Sequence, residues 1–263
     1  MNILDKIIHR KREEVALAKT QVSVKELTSA VNFDRNPYSF KEFLLDENRT
    51  GIIAEFKRRS PSKGLINDHS TVEEVTSAYA AAGASALSVL TDAEFFGGNA
   101  QDVIKARAVN HIPILRKEFI IDVYQLYEAK AMGADIILLI AAVLSPQQIV
   151  SLTATAKSLG LNVLLEVHNL AELQRSVCPG LDAIGVNNRN LEDFTVNIQT
   201  SFDLVDQIPN DFMKISESAI SDTQTIRQLK AAGFNGFLLG EVFMKTPDPG
   251  AAMDRFVSEL ISV

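Results

Sequence analysis

Short apolar runs alternate with amphipathic segments along most of the chain, and they recur in a fixed order. From residue 52 onward, an alanine-rich helical segment ends at a glycine, an apolar run follows, and a polar loop closes the unit. Glycine lacks a Cβ and adopts positive φ at a helix C-terminus with little strain. The pattern therefore predicts that helices end at Gly83, Gly133, Gly160 and Gly233.

Eight apolar runs are predicted to be strands, starting near residues 52, 86, 112, 135, 162, 182, 213 and 236. Their spacing of roughly 20–35 residues is that of a strand-plus-helix unit. The runs are continuously apolar, which is typical of parallel strands buried on both faces. An α/β fold, the (β/α)8 TIM barrel with extra N-terminal helices, is expected. The alternative is a doubly wound open sheet, but neither G-x-G-x-x-G nor G-x-x-x-x-G-K-[ST] occurs.

The segment before the first strand has a different pattern. Apolar residues between positions 2 and 18 have near-helical spacing, which predicts an amphipathic helix with a solvated basic outer face. A second short helix is expected from Ser39 to Leu45. Because no Pro/Gly/Ser-rich linker follows, residues 1–263 are interpreted as a single barrel domain, with residues 1–48 as an N-terminal helical extension.

Composition narrows the functional classes. The chain has 263 residues, 46% of them hydrophobic, and a net charge of −7, which gives no electrostatic footprint for nucleic acid. No apolar stretch resembles a signal peptide or a membrane span, so no membrane partner and a cytoplasmic location are expected. Cys178 is the only cysteine, which excludes an internal disulfide and fits a reducing compartment.

The end of the first predicted strand carries the most informative residues. Glu55, Lys57 and Ser60 follow the apolar residues 52–54 and lead into a turn-forming Ser-Pro-Ser-Lys-Gly segment. Side chains alternate across a strand, so Glu55 and Lys57 share a face. A buried carboxylate and ammonium are costly without a purpose, whereas an exposed rim pair would contribute little. The pair is therefore a candidate site.

Six further strands also end in polar or aromatic residues. The candidates are Phe95 and Phe96 after strand 2, Lys117 and Phe119 after strand 3, Glu166 after strand 5, Asn187 and Arg189 after strand 6, Glu217, Ser218 and Ala219 after strand 7, and Gly240 and Glu241 after strand 8. Each residue alone has a structural explanation, such as a snorkelling lysine, a capping asparagine or a core phenylalanine. Together they favour a small-ligand pocket at the carboxyl ends of the strands.

Two of these loops suggest an anion site. The loops after strands 7 and 8 commonly bind phosphate in such barrels, and here they contain Ser218-Ala219 and Gly240-Glu241. Backbone N–H groups would hold the anion, with Lys57 and Ser60 adding a charge and a hydroxyl. Glu241 is expected to offer only its N–H.

Metal and serine-hydrolase chemistry have no recognisable motif. The histidines His9, His69, His111 and His168 have no metal-ligand spacing, and G-x-S-x-G is absent. His168 is interpreted as a hydrogen-bonded loop residue.

Six segments in order resemble the indole-3-glycerol-phosphate synthase family. They are residues 53–62 (IAEFKRRSPS), 113–120 (PILRKEFI), 165–168 (LEVH), 184–191 (IGVNNRNL), 216–218 (SES) and 237–241 (FLLGE). The N-terminal residues 3–8 (ILDKII) and 11–15 (KREEV) are similar to the extra N-terminal helix of that family. The resemblance implies ring closure, decarboxylation and dehydration of 1-(2-carboxyphenylamino)-1-deoxyribulose 5-phosphate in tryptophan biosynthesis, a carbon–carbon lyase reaction without a cofactor.

The resemblance also implies roles for the strand-end residues. Lys117 would be the general acid that activates the substrate carbonyl, and Glu166 the acid/base of the dehydration. Lys57 would hold the substrate carboxylate and take part in proton transfer, with Glu55 orienting the lysines. The remaining implied contacts are hydroxyl binding by Asn187, assistance by Arg189, substrate binding by Glu217, a phosphate cradle at Ser60, Ser218, Ala219, Gly240 and Glu241, and an apolar wall of Phe95, Phe96 and Phe119.

Two points stay open at this stage. Lys57 would lower the pKa of Lys117 while Glu55 and Glu166 would raise it, and the sequence leaves the balance undecided. The family usually has glycine where this chain has Ala219, so a positive φ there would cost about 1 kcal/mol.

The remaining alternatives are another phosphosugar barrel, such as phosphoribosylanthranilate isomerase, and a barrel that binds a phosphorylated ligand without turnover. A phosphorylated small molecule is the expected partner in each case. The sequence does not fix the oligomeric state, and a monomer is the working expectation.

Overall fold

Eight strands of the computed structural model form one closed barrel, and the short strands Arg59–Ser60 and Gly64–Leu65 pair as a separate antiparallel sheet. The structure describes residues 2–190 and 194–262, so Leu191, the end of one motif quoted above, lies outside the described residues. The barrel strands are β1 (Ile52–Phe56), β2 (Ala86–Leu90), β3 (Ile114–Lys117), β4 (Ile136–Ile140), β5 (Asn162–Val167), β6 (Ala183–Asn187), β7 (Met213–Glu217) and β8 (Gly236–Leu239).

Helices precede the barrel and fill the connections. They are α1 (Ile3–Gln21), α2 (Val24–Thr28), α3 (Phe40–Leu45), α4 (Val72–Ala81), α5 (Ala100–Val109), α6 (Tyr124–Met132), α7 (Pro146–Ser158), α8 (Leu170–Ser176), α9 (Gln199–Leu204), α10 (Thr223–Ala231), α11 (Glu241–Met244) and α12 (Pro249–Ile261). Within the two described ranges, no helix has the length and apolarity needed to cross a membrane.

The topology confirms the predicted (β/α)8 barrel with an extra N-terminal helix. Each strand pairs in parallel with the next in the chain, and β8 closes the sheet against β1. Predicted strand starts are within two residues of the observed ones. The largest difference is at β3, where residue 112 was expected and Ile114 begins the strand. Pro113 has no N–H to donate to a ladder, so regular pairing begins after it.

The period of two along a strand explains why the strand ends converge. Inward-facing apolar residues in the barrel interior include Ile53, Leu115, Leu164, Ile215 and Leu238. Two residues further along the same strands are Glu55, Lys117, Glu166, Glu217 and Gly240. Because every second side chain points to the same face, these residues continue the inward rows and meet at the carboxyl end of the barrel.

The N-terminal helix α3 packs its apolar side chains into the barrel interior. Its residues Phe40 and Leu44 belong to the same buried cluster as Ile53 and Leu115. Gly236, at the start of β8, makes room for it, since a Cβ there would lie 2.9 Å from Leu44 Cδ1. The helix predicted from Ser39 is confirmed, with Ser39 as its N-cap. The short helix α2 was not predicted, although a Ser23–Glu26 capping box begins it.

The predicted N-terminal helix is present as α1, but the expectation of a fully solvated basic face is wrong at one residue. Lys11 is buried, with 4% of its surface exposed, and its ammonium contacts three carboxylates. The helical period alone did not indicate this, because two of the three partners, Asp92 and Glu118, come from distant loops of the barrel.

The four glycines predicted to end helices all have positive φ. The angles are +96° at Gly83, +91° at Gly133, +76° at Gly160 and +107° at Gly233. These termini are therefore set by local backbone chemistry, which is why the sequence revealed them.

Candidate active site

Lys117 lies at the centre of the strand-end cluster. Its Nζ donates to Glu166 Oε2 at 2.7 Å and to Glu217 Oε2 at 2.9 Å, which joins the ends of β3, β5 and β7. Both glutamates are nearly inaccessible to solvent, with 2% and 1% exposed. An ammonium between two buried carboxylates is a strong charge-assisted arrangement that fixes the position of the amine.

The charged groups in this cluster shift one another's pKa values. Burial opposes the charged form of Lys117, but the negative charges of Glu166, Glu217 and Glu55 outweigh burial and raise the pKa of Lys117 above its usual value. The sequence had left the direction of this pKa shift undecided. Burial also favours the neutral form of Glu166, yet Lys117 and His168 hold the pKa of that carboxyl well below its usual range. For Glu217, burial dominates over the attraction of Lys117, and nearby Glu166 adds to it, which raises its pKa to about 7.

Glu55 and Lys57 form a second ion pair beside the first. Lys57 Nζ lies 2.8 Å from Glu55 Oε1, and Glu55 Oε2 accepts a hydrogen bond from Ser88 Oγ at 3.4 Å. The two residues share a face, as predicted. Within the described part of the chain, Glu55 contacts Lys57 directly and affects Lys117 only through its charge.

Two glycines leave space for the carboxylates. A Cβ on Gly185 in β6 would lie 2.2 Å from Glu217 Oε1, and one on Gly240 would lie 2.8 Å from Glu55 Oε1. Both distances are shorter than contact allows, so a side chain at either position would displace a glutamate. Glu217 Oε1 is buried and has no hydrogen-bond partner among the described residues.

Asn187 links the charged cluster to the loop after β7. Its Nδ2 donates to Glu166 Oε1 at 3.0 Å, and its Oδ1 accepts from Ser218 Oγ at 2.9 Å and from Arg189 N at 3.0 Å. The amide therefore fixes Glu166 and the two following loops in one arrangement.

His168 is held between two glutamates. Its Nδ1 is 3.1 Å from Glu172 Oε2, and its Nε2 is 3.3 Å from Glu166 Oε1. Burial opposes its charge, but Glu166 and Glu172 raise the pKa of His168 to about 9. It is therefore an imidazolium at neutral pH that supports Glu166. The sequence predicted a hydrogen-bonded loop histidine but did not indicate that Glu172 is its second partner.

An apolar wall faces the charged residues. Phe96 and Phe119 have ring centroids 6.0 Å apart and tilted planes, and both line the same cavity as Lys117. Aliphatic residues complete the lining, namely Leu90, Leu138, Ile140 and Leu238. Phe95, also predicted for this wall, is half-buried and is not among the residues lining the cavity.

The predicted anion loops form an adjoining concavity. Its lining includes Ser218, Ala219, Gly240 and Glu241, together with Lys57, Arg189 and Lys245. Ser60 lines the neighbouring cavity, and its Oγ accepts from Lys63 N at 3.2 Å. The Glu241 carboxylate is directed to cations, 3.8 Å from Lys63 Nζ and 3.9 Å from an Arg189 guanidinium nitrogen. Sequence reasoning missed Lys245, which has no distinctive motif around it.

The backbone of this loop is strained at two residues. Ser218 has φ +65° and Ala219 has φ +62°, the left-handed region that residues with a Cβ rarely adopt. The sequence predicted a strain cost at Ala219 if its φ were positive. The φ is positive, so this cost is expected.

We predict that Ala219→Gly relieves this strain. The substitution should stabilise the fold by up to about 1 kcal/mol and lower KM, because the loop N–H groups would reach the positions predicted to bind an anion at less cost. Steady-state kinetics and thermal unfolding measure the two effects. Ala232→Gly is the matched control, because Ala232 has φ −77° and should only lose stability. A KM that rises or stays constant in Ala219→Gly would contradict the prediction.

Across residues 2–190 and 194–262, no group of three or more His, Cys, Asp or Glu side chains is placed to hold a metal ion. The charges that face the cavity are instead paired lysines and glutamates.

Comparison with known sequences gives matches over nearly the whole chain. A family model described as indole-3-glycerol phosphate synthase matches residues 4–256. The indole-3-glycerol phosphate synthase of Bacteroides thetaiotaomicron is 48% identical over 259 residues, covering 98% of this chain and 99% of that protein. The protein of the same name from Burkholderia vietnamiensis is 43% identical over 257 residues, with 97% and 98% covered.

Solved structures share the barrel at much lower identity. The tryptophan synthase complex from Pyrococcus furiosus includes a chain with a TM-score of 0.61 and 16% identity, covering 82% of this chain and 99% of that one. The 3-hexulose-6-phosphate synthase of Salmonella typhimurium gives a TM-score of 0.61 at 14% identity, with 80% and 98% covered. These similarities show the fold alone.

Proposed function

The chain belongs to the indole-3-glycerol phosphate synthase family, and from this premise we propose that the strand-end pocket is where it closes the indole ring. The enzyme is a carboxy-lyase of tryptophan biosynthesis that acts on a phosphorylated small molecule. The observation that supports the proposed site is the Lys117 ammonium, held by Glu166 and Glu217 in a cavity that Phe96 and Ser218 also line.

Lys117 is proposed as the acid of the first step. Attack of the aromatic ring carbon on the C2 carbonyl of the substrate places negative charge on the carbonyl oxygen, and a positioned ammonium can protonate that oxygen. The raised pKa keeps Lys117 protonated in the free enzyme. Its proton then passes to the strongly basic alkoxide as the new carbon–carbon bond forms, and loss of CO2 restores the aromatic ring.

Glu166 is proposed as the acid/base of the dehydration. Its lowered pKa means that it is ionised when the cyclised intermediate forms, so it can accept the proton from the carbon beside the ring nitrogen and pass it to the departing hydroxyl, which leaves as water as the C=C bond of indole forms. Asn187 donates to Glu166 Oε1 and is also proposed to bind a substrate hydroxyl. His168 Nε2 lies 3.3 Å from the same carboxylate oxygen.

The remaining residues are proposed to orient the substrate. Lys57, kept in place by Glu55, would pair with the substrate carboxylate, and the rings of Phe96 and Phe119 would contact the aromatic ring. The strained loop at Ser218-Ala219, the residues Gly240-Glu241 and Ser60 would hold the phosphate, with Arg189 nearby. Binding both ends of the substrate positions the ring carbon against the carbonyl, a proximity effect that is worth several kcal/mol or more.

The assembly and location belong to the same proposal. A monomer is the proposed assembly. The free thiol of Cys178 agrees with the cytoplasmic location that we propose, where thiols stay reduced.

A Glu166→Gln variant separates the two halves of the reaction. The amide keeps the size of the side chain but cannot accept the proton, so cyclisation with CO2 release should continue while dehydration slows by roughly 10²-fold or more. Single-turnover measurement of CO2 against indole fluorescence detects the difference. His111→Gln, which replaces a histidine outside the pocket lining, is the control and should keep both signals coupled. Equal slowing of both signals in Glu166→Gln would assign Glu166 to the first step instead.

A further inference from the structure

Lys11 is the only buried cation on α1, and it contacts the loops that follow β2 and β3. Its Nζ lies 2.6 Å from Glu14 Oε2, 3.0 Å from Asp92 Oδ2 and 2.9 Å from Glu118 Oε1. Asp92 and Glu118 are themselves buried, with 1% and 4% exposed, and both line the substrate cavity. A cation outside the barrel thus neutralises two carboxylates at the cavity wall.

The two carboxylates fix the backbone of the aromatic residues. Asp92 Oδ1 accepts from the N–H groups of Phe95 at 2.8 Å and Phe96 at 3.3 Å. Glu118 Oε1, the same atom that contacts Lys11, accepts from Phe119 N at 2.8 Å. The positions of both cavity-lining rings therefore depend on carboxylates that Lys11 holds together.

Glu118 and Asp92 differ in the partners that would remain if Lys11 were removed. Glu118 also accepts from Thr91 Oγ1 at 2.6 Å and lies 3.9 Å from Arg116. For Asp92, no other cation lies within ion-pair distance in the part of the chain that the structure describes. Removing the ammonium would leave buried like charges close together, which is strongly unfavourable, so the loop that carries Phe96 is the one expected to move.

We propose that Lys11, on the helix before the barrel, is a positioning residue for the aromatic wall of the substrate pocket, acting through Asp92 on Phe96 and through Glu118 on Phe119. This inference rests on the proposed contact between these rings and the aromatic ring of the substrate. It extends the active site to a helix that contributes no residue to the cavity lining.

The test is Lys11→Met in the full-length enzyme. We expect KM to rise about tenfold, the size of one well-placed aromatic contact, while kcat changes much less, because the residues that transfer protons stay in place. Lys11→Arg should recover most of the affinity by restoring the charge. Lys19→Met is the matched control on the same helix, since Lys19 forms an exposed pair with Asp122 at 2.7 Å, and its KM should be unchanged.

A double variant covers the case in which Lys11→Met does not fold. Lys11→Met with Asp92→Asn removes one uncompensated charge and keeps an oxygen that accepts from Phe96 N, so it should fold and have a KM below that of the single variant, where both can be measured. A lowered melting temperature with an unchanged KM in the folded variant would overturn the proposal and leave Lys11 a purely structural residue.

Leucine substitutions separate this proposal from the proposed site. If Phe96→Leu and Phe119→Leu raise KM but Lys11→Met does not, the role of Lys11 is wrong and the wall assignment stands. If neither leucine variant changes KM, the wall assignment itself is wrong, and the inference about Lys11 is overturned with it.

Discussion

Lys117→Met is expected to lose nearly all turnover, with kcat reduced about 10³-fold or more. The variant removes both the proposed proton donor and the charge that would stabilise the developing oxyanion. Its side chain is close in length to lysine, so the cavity between Glu166 and Glu217 stays filled. Indole fluorescence follows product formation directly, and equal signal from the variant would contradict the assignment of Lys117.

Two further variants separate proton transfer from charge and from general lysine effects. Lys117→Arg keeps a cation near Glu166 and Glu217, but a guanidinium does not release its proton at accessible pH, so this variant should also be inactive. Lys105→Met removes an exposed lysine that lies 3.4 Å from Glu73, and its activity should match that of the parent. Substantial turnover in Lys117→Arg would indicate that charge, rather than proton donation, is the contribution of this residue.

The sequence allowed the barrel and the convergence of its strand ends to be predicted because both follow from local periodicity. An apolar run, a polar end and a helix-ending glycine are visible within a short window, and a period of two then places Glu55, Lys117 and Glu166 on the same inner rows. Eight such units leave little freedom in topology. The motifs added the family, which the comparisons confirm.

Two sets of contacts were not revealed by the sequence, and the larger set joins distant segments. Lys11 appeared to be one charge among several on an amphipathic helix, because nothing near it in the chain shows that Asp92 and Glu118 would surround it. His168 was separated from Glu166 by only one residue, but its pairing with Glu172 depends on how α8 begins. The Lys11 contacts are set by the tertiary arrangement of separate elements, so no local pattern encodes them, whereas the His168–Glu172 pair has the i,i+4 spacing of a local contact.

Ala219 shows an intermediate case. The missing glycine was visible in the sequence, but the cost depended on a backbone angle that only the folded loop defines. The observed φ of +62° turns that conditional statement into a definite prediction about KM, while the roles of the individual site residues remain predictions for kinetics to test.

Asp135→Ala is expected to be the most destabilising of the substitutions considered, costing about 3–5 kcal/mol. Asp135 precedes β4 at the end of the barrel opposite the active site and is completely buried. Its Oδ1 accepts from Arg35 and from Tyr38 N, and its Oδ2 from Arg107 and from Ile114 N, all within 2.8 Å. Alanine would leave the buried Arg107 guanidinium without its carboxylate.

Chemical denaturation and melting temperature measure this loss, and a decrease of about 10 °C or more is expected for a domain of this size. Glu73→Ala is the control, because it breaks an exposed ion pair with Lys105 and should cost less than about 1 kcal/mol. Since Asp135 lies at the barrel end remote from Lys117, kcat per folded molecule should be retained at low temperature. Similar losses of stability in the two variants would show that the contacts of Asp135 contribute little to folding. A loss of kcat in folded Asp135→Ala would show that these contacts also affect the active site.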